Sequence, residues 1–158
     1  MSEAGRPKLS GVKVRWMIRR DMADVLKIEN ESFDLPWREE DFLSCLRQRN
    51  CIGMVTEHEG RVVGYTIYEL FSEALHILSL AVSREHRHSG VGSQMVGKLM
   101  HKLSQQRRVS ITTDIRESNI EAHEFFRNFG FKLIRVERNY YKDTSESVYR
   151  FRYQVPAK

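Results

Sequence analysis

Apolar and polar positions alternate with a period of two in some stretches and follow a helical period in others, and the changes of period divide the chain into elements. Val12 to Ile18 predicts a first strand. Asp21 is placed as an N-cap, and Met22, Val25, Leu26 and Ile28 then mark a helix that must end before Pro36. A second helix is expected from Arg38 to Arg49, with Phe42, Leu43 and Leu46 on its apolar face. Ile52 to Glu57 and Val62 to Leu70 alternate about the turn His58-Glu59-Gly60-Arg61, which predicts a hairpin. Ala74 to Val82 is the next strand. Val91, Met95, Val96, Leu99, Met100 and Leu103 keep helical spacing, Arg108 to Ile115 is β-branched and alternating, and Asn119 to Phe129 is helical up to Gly130. Phe131 to Glu137 and Ser147 to Tyr153 close the chain as strands around a polar loop. The order is mixed α/β: the strand–helix–strand unit from 74 to 115 requires parallel pairing, and the flanking hairpins are antiparallel.

Composition narrows the class. With 158 residues, 41% of them hydrophobic, the chain suits one domain over residues 12–158, preceded by a flexible tail over residues 1–11. No apolar run approaches the roughly 20 residues of a membrane span, and Met1 to Ser10 lacks the apolar block of a secretion signal, so a cytoplasmic protein is expected. Cys45 and Cys51 are expected as two small core hydrophobes rather than a bridge. The net charge of +5 admits nucleic acid, but the basic residues are interleaved with 21 acids and form no stripe, so no direct nucleic-acid partner is expected.

One stretch carries chemistry. Arg84-Glu85-His86-Arg87-His88-Ser89-Gly90-Val91-Gly92-Ser93 lies between a strand and a helix. Gly90 and Gly92 let backbone amides converge there, and the new helix adds its positive end to the same point, which suits a diphosphate. Arg84, His86, Arg87 and His88 supply mobile positive charge. A dinucleotide fingerprint fails because Met95 stands where a third glycine is needed. A nucleotide P-loop fails too: Gly92 to Lys98 satisfies its first seven positions, but Leu99 lacks the magnesium-binding hydroxyl, and Gly97 and Lys98 fall inside a helix. Phosphate contact explains His86-x-His88 better than metal ligation does, so no metal site is expected.

The pattern Arg87-x-x-Gly90-x-Gly92 resembles the acyl-coenzyme A loop of the GNAT superfamily of N-acetyltransferases. The resemblance covers roughly residues 14 to 153 and is strongest to the RimI-like group, which acetylates protein N-terminal amines, and to the similar eukaryotic N-terminal acetyltransferases. It is carried by Ile28-Glu29-x-x-Ser32-Phe33-x-x-Pro36-Trp37, by Leu80-Ala81-Val82 with the glycine turn, by Arg116-x-Ser118-Asn119-x-x-Ala122, by Gly130-Phe131, and by Arg138-Asn139-Tyr140-Tyr141. It implies the GNAT fold, with a mostly antiparallel sheet containing one parallel pair. It also implies acetyl-CoA as donor and a protein or peptide N-terminus, such as that of a ribosomal protein, as acceptor.

By the same resemblance, Leu80, Ala81, Val82, Arg87, His88, Ser89, Gly90, Val91, Gly92, Ser93, Asn119 and Phe126 contact the cofactor, and Phe33, Pro36, Trp37, Tyr140 and Tyr141 wall the acceptor site. His76 and Asp114 match positions where the similar eukaryotic enzymes place bases acting through water; RimI-like enzymes have glutamate at the latter. Read on their own residues, His76 can equally be a satisfied strand histidine and Asp114 an arginine's partner. Phe126 departs from the family tyrosine that protonates the leaving thiolate, and phenylalanine has no proton to donate. Tyr140 or Tyr141 could replace it. The alternatives are a lysine or small-amine acetyltransferase, or a silent acyl-CoA-binding or interaction module.

Overall fold

The computed structural model describes residues 9–104, 107–141 and 145–156. Seven strands form one sheet: β1 (Val12–Trp16), β2 (Cys51–His58), β3 (Arg61–Leu70), β4 (Ala74–Val82), β5 (Ser110–Arg116), β6 (Lys132–Glu137) and β7 (Val148–Gln154), in the spatial order β1-β2-β3-β4-β5-β7-β6. Among the described residues only β4 and β5 run parallel; every other neighbouring pair is antiparallel. Four α-helices accompany them: α1 (Met22–Ser32), α2 (Glu39–Leu46), α3 (Val91–Met100) and α4 (Ile120–Asn128). The mixed architecture expected from periodicity is therefore present, including the single parallel pair joined through α3.

Each face of the sheet has its own core. Val25, Ile28 and Phe42 of α1 and α2 pack on Val55, Tyr65 and Ile67, while Val96 and Leu99 of α3 and Phe125 and Phe126 of α4 pack on Leu75, Ile77, Ile111 and Phe151. Helices on both faces explain why consecutive residues of β2 and β3, Gly53 to Thr56 and Val63 to Tyr68, are buried. Gly97 and Lys98 lie inside α3, as the exclusion of a P-loop required.

Several local expectations need correction. Asp21 stands at the N-cap position of α1, as expected, but its side chain makes no capping bond to the helix: its carboxylate accepts the Ile18 amide at 2.8 Å and both terminal nitrogens of Arg15, and so closes the short turn before the helix. The second helix covers only Glu39–Leu46, and the long helix stops at Met100 rather than Leu103. Cys45 and Cys51, expected as separate thiols, are joined as a disulfide, with Cα atoms 6.1 Å apart. The chain reverses at once after α2, where the Gln48 amide donates to Cys45 O, and this brings the two within bridging distance. Of the segment expected as a tail, residues 1–8 lie outside the described residues; Leu9 donates its amide to Ser89 O at 2.8 Å and packs beside Val63 and Val91.

Candidate active site

The parallel register between β4 and β5 ends at Ile77 and Thr113. Beyond that pair the strands separate. The β3–β4 register slips at the same level, since Ile67 faces Ser79 and Tyr68 faces Ile77, leaving Leu78 as an extra residue. Such irregularities re-aim backbone groups and cluster beside active sites. The opening is a cleft of about 440 Å³, lined by Leu78, Ser79 and Leu80 from β4, Asp114 and Arg116 from β5, Phe33 and Trp37 from the loop after α1, Asn119 and Phe126, and Tyr141. A second cleft of about 150 Å³ adjoins it, lined by Leu80, Ala81, Val82, His86, Arg87, His88, Val91 and Gly92. Phe33, Leu80, Asn119 and Phe126 border both.

The glycine turn is built as its residues suggested. Gly90 is the N-cap of α3 with φ 88°, in the left-handed region, and His88 holds φ 63° just before it. A Cβ on Gly92 would stand 3.2 Å from the Phe125 ring, so that glycine permits close packing of α3 against α4. The first turn of α3 begins in the wall of the second cleft, so its amide dipoles face that space. Asn119 caps α4 by accepting the Ala122 amide at 3.2 Å.

The arginines are less mobile than the sequence suggested. Arg87 Nε donates to Val82 O at 3.1 Å and its Nη2 to Ser32 Oγ at 2.9 Å. Arg84 donates its amide to the Glu31 carboxylate and its Nη2 to Glu31 O. Both tie the turn to the end of α1. Ser89 is buried, and its hydroxyl donates to His86 O.

His76 and Asp114 do come together, with Nε2 3.9 Å from Oδ2, but only Asp114 lines the cleft. His76 Nδ1 is 2.7 Å from Thr112 Oγ1. Burial lowers the His76 pKa below its ordinary value against the opposing pull of Asp114, so the ring is neutral at pH 7. Asp114 receives two hydrogen bonds from Arg150, at 2.7 and 2.8 Å. Burial pulls its carboxyl upward, yet Arg150 outweighs burial and the pKa lies below the usual value. Asp114 thus has an arginine partner, and it is Arg150, across the sheet, rather than the adjacent Arg116. Arg150 carried no signal in the sequence because 36 residues separate the pair.

Two residues further along β5 the Arg116 guanidinium stacks 3.8 Å from the centre of the Tyr141 ring. Burial raises the Tyr141 pKa, so its hydroxyl keeps its proton. Tyr140 is half exposed and, like Pro36, does not line the cleft. Phe126 is buried against Phe125 and Phe131 while bordering both clefts. Among the described residues no group of three or more His, Cys, Asp or Glu side chains is placed to hold a metal ion, and no helix is long and apolar enough to cross a membrane.

Comparison with known proteins agrees with this arrangement. Residues 20–131 match the Acetyltransferase (GNAT) family. An N-alpha-acetyltransferase of Sulfurisphaera tokodaii is 24% identical over 140 residues, spanning 80% of this chain and 84% of the relative. The crystal structure of Ard1 from Thermoplasma volcanium superposes with a TM-score of 0.82 at 26% identity, covering 92% of this chain and 99% of that one. The ribosomal-protein-S18-alanine N-acetyltransferase from Escherichia coli has the same fold, with a TM-score of 0.82 at 19% identity over 93% of this chain and 96% of its own.

Proposed function

Because the chain belongs to the GNAT acetyltransferase family, we propose that it transfers acetyl groups from acetyl-CoA to protein N-terminal α-amines, by direct attack with both substrates bound, in the cytoplasm. The observation that carries this reading is the continuity of the two clefts. The glycine turn opens into one, and the other is walled by Phe33, Trp37 and Tyr141, with Leu80 at their junction.

The donor, when bound, supplies a thioester whose carbonyl is open to attack by an amine. The residues of the second cleft suit it. Backbone amides at Gly90, Val91 and Gly92, with His88 beside them, would hold the diphosphate, and Leu80 to Val82 and Asn119 would hold the pantetheine arm. The β4 amides freed by the slipped register near Leu80 would bind the carbonyl oxygen and offset its developing charge. Phe33, Trp37 and Tyr141 would position the peptide.

An α-amine has a pKa of about 7.7 to 8.0 whereas lysine lies near about 10.4, so an N-terminus gives up its proton at neutral pH for little free energy. A weak acceptor therefore suffices. With Arg150 holding both of its oxygens, Asp114 acts through ordered water and orients the amine, with neutral His76 behind it. A ribosomal protein is the acceptor we favour.

Mass spectrometry of an α-amine peptide panel incubated with acetyl-CoA tests the assignment. A gain of one acetyl group at the N-terminus is the expected result. Modification of lysine alone overturns the α-amine specificity, and binding without transfer overturns the enzymatic reading. The Phe126 side chain favours slow transfer, because no phenol stands at that point to protonate the leaving thiolate. Phe126→Tyr is accordingly expected to raise kcat by about threefold or more, the gain being sought in single-turnover assays. An unchanged rate would show that protonation of the thiolate does not limit turnover.

A further inference from the structure

Val25, Ile28 and Glu29 occupy the buried face of α1, and Glu29 is as hidden as its apolar neighbours, at 3% exposed. A buried carboxylate without donors is strongly destabilising, so its partners disclose what it is for. They come from two separate walls of the cleft. Oε2 accepts the Trp37 amide at 2.9 Å. Oε1 accepts the Tyr65 hydroxyl and, at 3.3 Å, Ser79 Oγ, and the Tyr65 and Ser79 oxygens are themselves 3.0 Å apart. Tyr65 is fully buried, and burial together with Glu29 holds its pKa well above the usual value, so it remains a donor.

The position of these partners matters more than their number. Trp37 ends the loop that begins at Phe33 and forms the acceptor side of the first cleft. Ser79 sits where the β3–β4 register slips, one residue before Leu80. Glu29 also lines the floor of that cleft. One carboxylate therefore bolts the acceptor wall to the segment of β4 that faces the donor. Asp114, on the far side, is already held by Arg150 and cannot do this.

We propose that Glu29 is a positioning residue for the attacking amine: its carboxylate sets the distance between the Phe33–Trp37 wall and β4 at Ser79, and so governs peptide capture but not donor binding. This rests on the α-amine reading above. A wall displaced from β4 weakens peptide binding before the chemical step, so the loss falls on KM.

The test uses the full chain and three variants. Glu29→Ala removes every acceptor, Glu29→Gln keeps a carbonyl for the Trp37 amide, and Tyr65→Phe removes one donor while leaving the Trp37 bond in place. For Glu29→Ala, kcat/KM for an α-amine peptide should fall by about thirtyfold or more, mainly through KM, while the dissociation constant for acetyl-CoA stays within about twofold. Glu29→Gln should recover to within about fivefold of wild type and Tyr65→Phe to within about threefold. Hydrogen exchange at the Trp37 amide should accelerate in Glu29→Ala and stay slow in Glu29→Gln. If Glu29→Ala does not fold, Glu29→Met fills the volume without an acceptor and carries the same comparison. Equal losses of donor affinity and peptide kcat/KM, or an unchanged KM with unchanged Trp37 exchange, would overturn the clamp. Wild-type inactivity toward every α-amine peptide would instead sink the underlying reading, and slow Trp37 exchange in that protein would tell the two failures apart.

Discussion

Gly90→Trp is expected to abolish acetyl-CoA binding, with an affinity loss of about a hundredfold or more in calorimetry, equivalent to about 2.7 kcal/mol. Gly90 holds φ 88° at the N-cap of α3, a conformation that costs any residue with a Cβ about 1–2 kcal/mol. His88 already occupies the left-handed region two residues earlier, so the turn has little slack to absorb a second strained residue. An indole at this point also projects from the turn whose amides would meet the diphosphate. Gly90 is buried in the turn although it belongs to none of the apolar clusters, so circular dichroism is the control that the variant still folds. Undiminished affinity in a folded Gly90→Trp protein would remove the turn from the donor site.

Asp114→Asn is expected to lower kcat by about tenfold to a hundredfold while acetyl-CoA affinity stays within about twofold, measured by steady-state kinetics and calorimetry. Asparagine matches the shape but cannot carry the charge that holds Arg150 through two bonds, nor order water beside the amine as an acceptor alone. The same side chain has a signature in stability. Its pKa is depressed in the folded protein relative to 3.8, so the unfolded chain binds the proton more readily. The stabilisation is therefore present above the unfolded value and is lost as pH falls through the folded value. Wild type and Asp114→Asn should accordingly converge in Tm as the solution is acidified below about pH 4, where the carboxylate advantage disappears. A constant difference in Tm across that range would contradict the Arg150 pairing. Equal loss of donor affinity in Gly90→Trp and Asp114→Asn would contradict the separation of donor and acceptor sites.

Much of the fold was legible because its signals are local. Alternation and helical spacing depend on neighbours a few residues apart, and all seven strands and four helices appear within a few residues of where periodicity places them. Element ends were less legible. Asp21 takes the N-cap position of α1 but gives its carboxylate to Arg15 and Ile18, and α2 and α3 stop a few residues before their apolar spacing does. The disulfide between Cys45 and Cys51 depended on how sharply the chain reverses after α2, which composition does not report.

The candidate site divides in the same way. Gly90 and Gly92 could be read directly, since a turn that needs positive φ and close packing leaves its mark in residue type. Glu29 had a visible place, four residues after Val25 on an apolar helical face, but nothing nearby named Trp37, Tyr65 and Ser79 as its partners. His76 and Asp114 could be singled out as ionisable residues in strands, yet whether either faced the cleft depended on the splay of β4 from β5.

By itself, then, the sequence determined the succession of elements, the parallel unit around α3 and the anion-seeking turn, because each is encoded in spacing and backbone permissiveness over a handful of residues. Tertiary structure alone decided that Arg87 turns inward to Ser32, that Arg150 claims Asp114, and that Glu29 joins two walls of one cleft. Charges and hydrogen-bond donors choose partners by distance in space, and the sheet brings together residues 36 to 55 positions apart whose proximity no local pattern records.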